Sequence, residues 1–266
     1  MHEEHPAFNA PSPADIPIWR YMDLPKFISM LEDQALHFVR ADRISDAFEG
    51  ASTKFSIDLL RVRFSQFQHD YPTAAQVPAD WQARMAAFFE KQRQYTYLNC
   101  WHMNEHESAA MWEIYQSGQP QGIAIRSTHQ RLSGSLADPS TIYIGTVGYI
   151  DYNTDMTTGL LTTLNRFLYK RQSFDYEREL RGIHSTWPEG VIDMMRVVGA
   201  KQPPLTEAPP GPPVIPMTVN LDELVHEVYV SPTAPAWFAD VVRKASARYG
   251  HTWTVHHSSL DNDPIY

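Results

Sequence analysis

The chain has 266 residues, of which 43% are hydrophobic and 12% aromatic, so it can bury a sizeable core and is not a disordered protein. Lys and Arg number 22 against 31 Asp and Glu, a formal net charge of −9 that excludes a global field for nucleic acid or an anionic membrane and leaves only a local basic groove open. The single cysteine, Cys100, excludes an intrachain disulfide and a cysteine-based zinc site, and it fits a reducing compartment.

The opening MHEEHPAFNAPSPADIP has neither a positive n-region nor an apolar h-region, so it does not read as a secretory signal. No apolar run reaches the ~20 residues of a bilayer span, and a cytoplasmic protein without membrane contacts is expected. Residues 1–15 are expected to form a mobile tail. PIWRYM then suits a strand. LPKFISMLEDQ has Leu24, Phe27, Ile28 and Leu31 at helical spacing, with Asp23 as cap and Pro25 in the first turn. ALHFVRA returns to strand, and DRISDAFEG is a polar loop carrying Asp42, Asp46 and Glu49. SIDLLRVRFSQF and PADWQARMAAFFEKQRQ carry helical patterns, and YTYLNCW is a strand rich in aromatics.

NEHESAAMWEIYQSG reads as a helix with Asn104 as cap and Gly118 as stop. QGIAIRS and TIYIGTVGYIDY are strands, and GLLTTLNRFLYKRQ is a helical pattern. FDYEREL, with Arg181 after it, is ambiguous: at strand period Glu177, Glu179 and Arg181 share a face, and at helical period Glu177 and Arg181 are a surface pair. RGIHSTW continues as a strand. KQPPLTEAPPGPPVIP is too rich in proline for regular structure, and a surface loop over residues 202–216 is expected. VHEVYVSP is a strand, APAWFADVVRKASARYG a helix ending at Gly250, and HTWTVHHS a closing strand. This intermixing predicts one α+β domain over residues 16–266, with a central mixed, largely antiparallel sheet flanked by helices.

Taken in order, WRYMDLPKFISMLEDQALHFVRADRISDAFEG, YLNCWHMNEHESAAMWEIYQSGQPQGIAIRS, VGYIDY, FLYKRQSFDYERELRG and VHEVYVSP resemble the family known as domain of unknown function 2971, over residues 17–260. Asp46, Phe48 and Glu49 match that family's acidic turn, with Ser45 and Ala47 where Asn and Pro are expected. Cys100 matches its cysteine, and Trp112 with Tyr115 its aromatic helix. Glu177, Glu179 and Arg181 match its acidic and basic close. The resemblance implies no activity by itself.

Several sites compete. Trp112 and Tyr115 lie three residues apart on one helical face, a placement that mostly marks core. Asp46 and Glu49 fit ordinary turn chemistry. HMNEH, residues 102–106, matches a zinc-binding His-x-x-Glu-His pattern, but His102 ends a strand, so no metal is expected. Glu177 and Glu179 at i and i+2, with Arg20 on an early strand, are similar to the Arg, Ser or Thr, Glu-x-Glu arrangement of ADP-ribosyltransferases. That similarity implies NAD as co-substrate and a macromolecular acceptor or water. Arg20 would be the pyrophosphate clamp, Glu179 the stabiliser of an oxocarbenium-like centre, Glu177 the group acting on the acceptor, and Tyr21 or Trp112, beside Tyr115, a stacking surface. The alternatives are a non-catalytic binding or regulatory module and a metal-dependent nuclease using Asp46, Glu49, Glu177 and Glu179.

Overall fold

Strand β1 (Pro17–Asp23) alternates its side chains so that Ile18 and Met22 enter the main core while Trp19 and Tyr21 pack on the opposite face with Met111 and Trp112. In the computed structural model, which describes residues 1–13, 15–70, 79–116, 120–157, 163–187 and 209–261, this strand leads directly into helix α1 (Leu24–Asp33). The carboxylate of Asp23 accepts from the Lys26 N–H at 2.8 Å and caps the helix, and Pro25 costs nothing in its first turn. Gln34 ends it in a left-handed conformation, φ 48°, and the chain turns into β2 (Ala35–Arg40).

The remaining strands are β3 (Thr96–Met103), β4 (Gly122–Thr128), β5 (Tyr143–Thr146), β6 (Gly148–Ile150), β7 (Tyr169–Arg171), β8 (Glu179–Ser185), β9 (Val214–Thr218), β10 (Glu227–Val230) and β11 (Val255–His257). Nine of them form one sheet in the path β11-β10-β4-β1-β3-β2-β9, with β8 on β3 and β5 on β8. Among the described residues only β10 with β11 is parallel in it, and the expected single α+β domain with a mixed, largely antiparallel sheet is what the chain forms. β6 and β7 make a small parallel pair apart from it. Among the described residues no helix is long and apolar enough to cross a membrane.

The sheet divides at β3. β8 pairs with β3 along one edge from Thr96 to His102, but the other edge of β3 is shared. β2 takes its first half at Tyr97 and Leu98, and β1 takes its end at His102 and Met103. Between them β1 and β2 part, and the sheet forks.

Several local expectations are corrected. The first residues are not a loose tail: Phe8 stacks on Tyr143 with ring centroids 4.9 Å apart, and the Glu3 and Thr146 N–H groups bond to the Ile142 and Asn9 carbonyls at 3.0 and 2.9 Å. β5 is an outer strand, and covering its open edge satisfies its backbone. The proline-rich loop is shorter than expected, because Val214–Thr218 joins the sheet as β9 beside β2. Pro216 is tolerated there because β9 is an edge strand, while residues 201–208 lie outside the described residues. The helix Ala109–Gln116 begins five residues after Asn104, behind Ser108, and the Gly118 stop also lies outside the described residues. In GLLTTLNRFLYKRQ the described part is a 3-10 turn, Asn165–Leu168, followed by β7, since pairing with β6 overrides the helical spacing. The long strand TIYIGTVGYIDY is divided between β5 and β6. Residues 129–135, to which the sequence assigned no element, form the helix His129–Ser135, capped by Thr128.

Candidate functional site

The fork is filled by Arg20. Its guanidinium donates to the Cys100 carbonyl at 2.8 Å and, more weakly, to the His37 carbonyl at 3.5 Å, where β3 has no strand partner on that side. Asn99 Nδ2 donates to the same His37 carbonyl at 2.9 Å. A cleft of about 680 Å³ opens at this point. Arg20, Tyr21, Tyr115, Glu177, Glu179 and Arg181 all line it, so six of the nine residues singled out in the sequence meet in one place.

The acid cluster is resolved by the backbone. Residues Gln172–Glu177 form a 3-10 turn, Arg178 takes a left-handed φ of 41°, and β8 begins at Glu179. Glu177 and Glu179 are thus neither a strand pair nor a helical surface. They flank a tight reversal that brings both carboxylates over Lys170, which follows Tyr169 in β7. The Lys170 ammonium donates to Glu177 and, at 3.0 Å, to Glu179. Arg181 donates to Glu179 and grips Glu49 with two bonds of 2.6 and 3.0 Å, and its fourth bond goes to the Phe167 carbonyl at 2.7 Å. The Arg181 side chain is 1% exposed and that of Glu49 0%. Gly50, φ 69°, makes this approach possible, since a Cβ there would stand 2.4 Å from the Phe167 ring.

Charge explains the titration of the cluster. Lys170 and Arg181 are two cations against the three carboxyl groups of Glu49, Glu177 and Glu179, and burial pushes the Glu49 pKa up against the pull of Arg181. Glu177 has Lys170 alone as its cation. Burial pushes its pKa up, the neighbouring Glu179 pushes in the same direction, and against the pull of Lys170 the carboxyl settles at about 7. Glu179 goes the other way: burial raises it, but Arg181 and Lys170 together hold it well below the ordinary carboxylate range. Two carboxyl groups driven apart in this way make a division between a proton-exchanging group and a permanent anion.

The other residues have different places. Glu49 supports Arg181 from behind and does not line the cleft. Asp46 is buried, accepts from the Phe48 N–H and from Arg171 at 2.9 Å, and is not one of the residues that line the cleft. Trp112 is core: its indole donates to Glu107 at 2.9 Å, and its ring stands edge-on to Tyr21 at 4.9 Å. Tyr115 is 41% exposed and stacks on Tyr21 at 6.2 Å. The HMNEH residues do not share a helix, for His102 is in β3 and Glu105 and His106 are exposed beyond it. Among the described residues no three His, Cys, Asp or Glu side chains are placed to hold a metal ion.

Lys170 is the residue that sequence reasoning missed, since a lysine in FLYKRQ looks like any solvated position. Its one signal is electrostatic: a β-strand that turns Glu179 and Arg181 inward beside a second glutamate needs another cation from elsewhere in the chain. His102 and Cys100 also line the cleft, and burial pushes the Cys100 thiol up to about 12. Compared with family models, curated proteins and solved structures, the chain matches none.

Proposed function

We propose that the protein is an enzyme that cleaves the nicotinamide–ribose bond of NAD and passes the ADP-ribosyl group to a hydroxyl acceptor or to water. The observation that carries this reading is the Glu177 carboxyl, poised at about 7 on the wall of an aromatic cleft that also presents Arg20 and Lys170. The roles differ from those first suggested by the Glu-x-Glu pattern. Glu179 is tied to two cations and serves to hold Glu177 in place and set its proton affinity. Glu177 is the general base.

In this scheme the bond from ribose C1′ to the ring nitrogen breaks with its electron pair going to nitrogen, so nicotinamide leaves neutral. The new bond forms between C1′ and the acceptor oxygen, whose proton passes to Glu177. Tyr115 and Tyr21 offer a stacked aromatic wall to the nicotinamide, and Arg20 is the cation nearest the floor of the fork. The pure protein incubated with labelled NAD and cell lysate, with and without EDTA, tests it. Nicotinamide release that survives EDTA is expected. No release and no label transfer overturns it in favour of a non-catalytic module, and EDTA-sensitive cutting of nucleic acid overturns it in favour of the nuclease.

A further inference from the structure

His102 is 3% exposed, lines the cleft, and stands edge-on to Tyr21 with ring centroids 6.3 Å apart. Its Nδ1 lies 2.7 Å from the Glu177 carbonyl oxygen. A carbonyl only accepts, so Nδ1 carries the hydrogen, and in the neutral ring Nε2 is then a bare lone pair. Burial lowers the pKa of this imidazole and keeps it neutral. Nε2 is fully buried and has no donor within reach among the described residues. Buried acceptors of this kind are ordinarily satisfied, and one left over in a cleft wall needs an explanation.

We infer that His102 Nε2 is a recognition point for the ligand, accepting a hydrogen bond from a carboxamide N–H. This rests on the proposed NAD reading and names the part of the molecule that seats beside Tyr21 and Glu177. The same ring that meets the carboxamide fixes the turn from which the base projects, so a ligand with its amide in place is in register with Glu177.

The test uses the full chain with 15N-labelled histidine and follows the His102 ring nitrogens by NMR. In the free protein Nε2 is expected at the position of an unprotonated, unbonded nitrogen. Adding nicotinamide should move it upfield in a saturable way, and N,N-dimethylnicotinamide, which has no donor, should leave it unmoved. His102→Asn keeps a donor in the place of Nδ1 and removes Nε2. It should weaken nicotinamide binding about three- to tenfold without changing the affinity for the dimethyl compound. Nicotinamide that leaves Nε2 unmoved overturns the inference, even where NAD is consumed. Two equally shifting ligands overturn it as well. NAD left intact while nicotinamide still moves Nε2 overturns the enzymatic reading and supports the binding assignment.

Discussion

Replacing Arg181 by methionine removes the cation around which the candidate site is assembled while keeping most of its volume. Glu49, whose side chain is 0% exposed, loses both of its bonds from Arg181, at 2.6 and 3.0 Å, and Glu179 and the Phe167 carbonyl lose theirs. At an effective dielectric of ~20 and ~4 Å between charges, one such pair is worth ~4 kcal/mol. Breaking a buried pair from one side costs about 3–5 kcal/mol, because it leaves a buried charge alone. For a domain of this size that corresponds to a fall in Tm of about 6–20 °C. The loss should depend on pH in a set direction. With Arg181 gone, the Glu49 pKa, already raised by burial, rises further and Glu179 loses the main cation that lowers its own, so both hold protons in the folded state that the unfolded chain has already released. A carboxyl with a raised folded pKa favours folding more as pH falls, so the deficit of Arg181→Met should shrink from pH 7 toward pH 5. Urea unfolding of both proteins at several pH values measures it. A deficit at pH 7 below about 1 kcal/mol, or one that stays constant with pH, refutes the view that Arg181 neutralises these acids.

Four other outcomes are expected. If Glu177 is the base, kcat/KM for NAD rises with pH through about 7, and Glu177→Gln lowers kcat by roughly a hundredfold and abolishes that limb. Glu179→Gln removes a negative neighbour, so the limb should move to lower pH; a pH–rate profile that stays in place contradicts the coupling. Arg20→Ala should raise the Kd for NAD in calorimetry and also lower Tm, because the Cys100 carbonyl at the fork loses its donor while Asn99 continues to serve the His37 carbonyl. Unchanged stability would mean that the fork needs no latch. Cys100, its thiol pushed up to about 12, should react with Ellman's reagent at pH 8 on the order of a thousandfold more slowly than a free thiol until the protein is unfolded.

Much of the scaffold was legible from local pattern. Asp23 as a cap, the aromatic strand around Cys100 and the last helix, Ala236–Arg248, follow from chemistry within a few residues of each other. What escaped depends on contacts between distant segments. β9 forms across prolines because β2 offers it an edge, and the start of the chain is ordered because β5 has one to cover. The site shows the same division. Glu177, Glu179 and Arg181 announced themselves as a charged motif, yet whether they shared a face turned on a single left-handed residue, Arg178, which no spacing rule reveals. Lys170 became part of the site only through the pairing of β7 with β6. Asp46 and Trp112 looked equally suggestive and are structural, the first through Arg171 and the second through Tyr21 and Glu107.

The forked sheet also bears on how the chain is made. β3 is the strand that every arm of the fork needs, and its partners come from residues 17–40 on one edge and from residues 179–185 on the other. During synthesis the first edge closes early, with β1 and β2 already outside the ribosome when β3 emerges. The second edge of β3 stays bare for about eighty further residues, presenting an aromatic strand with unpaired backbone groups. Arrest or cleavage within that interval would leave a sticky half-sheet. The strand that finally closes it, β8, begins with Glu179 and carries Arg181, so the charged centre is assembled in the same step that silences the exposed edge. Substitutions at Arg181 should therefore also slow refolding, as stopped-flow kinetics would measure, and chaperone dependence should track them more closely than substitutions on the outer strands.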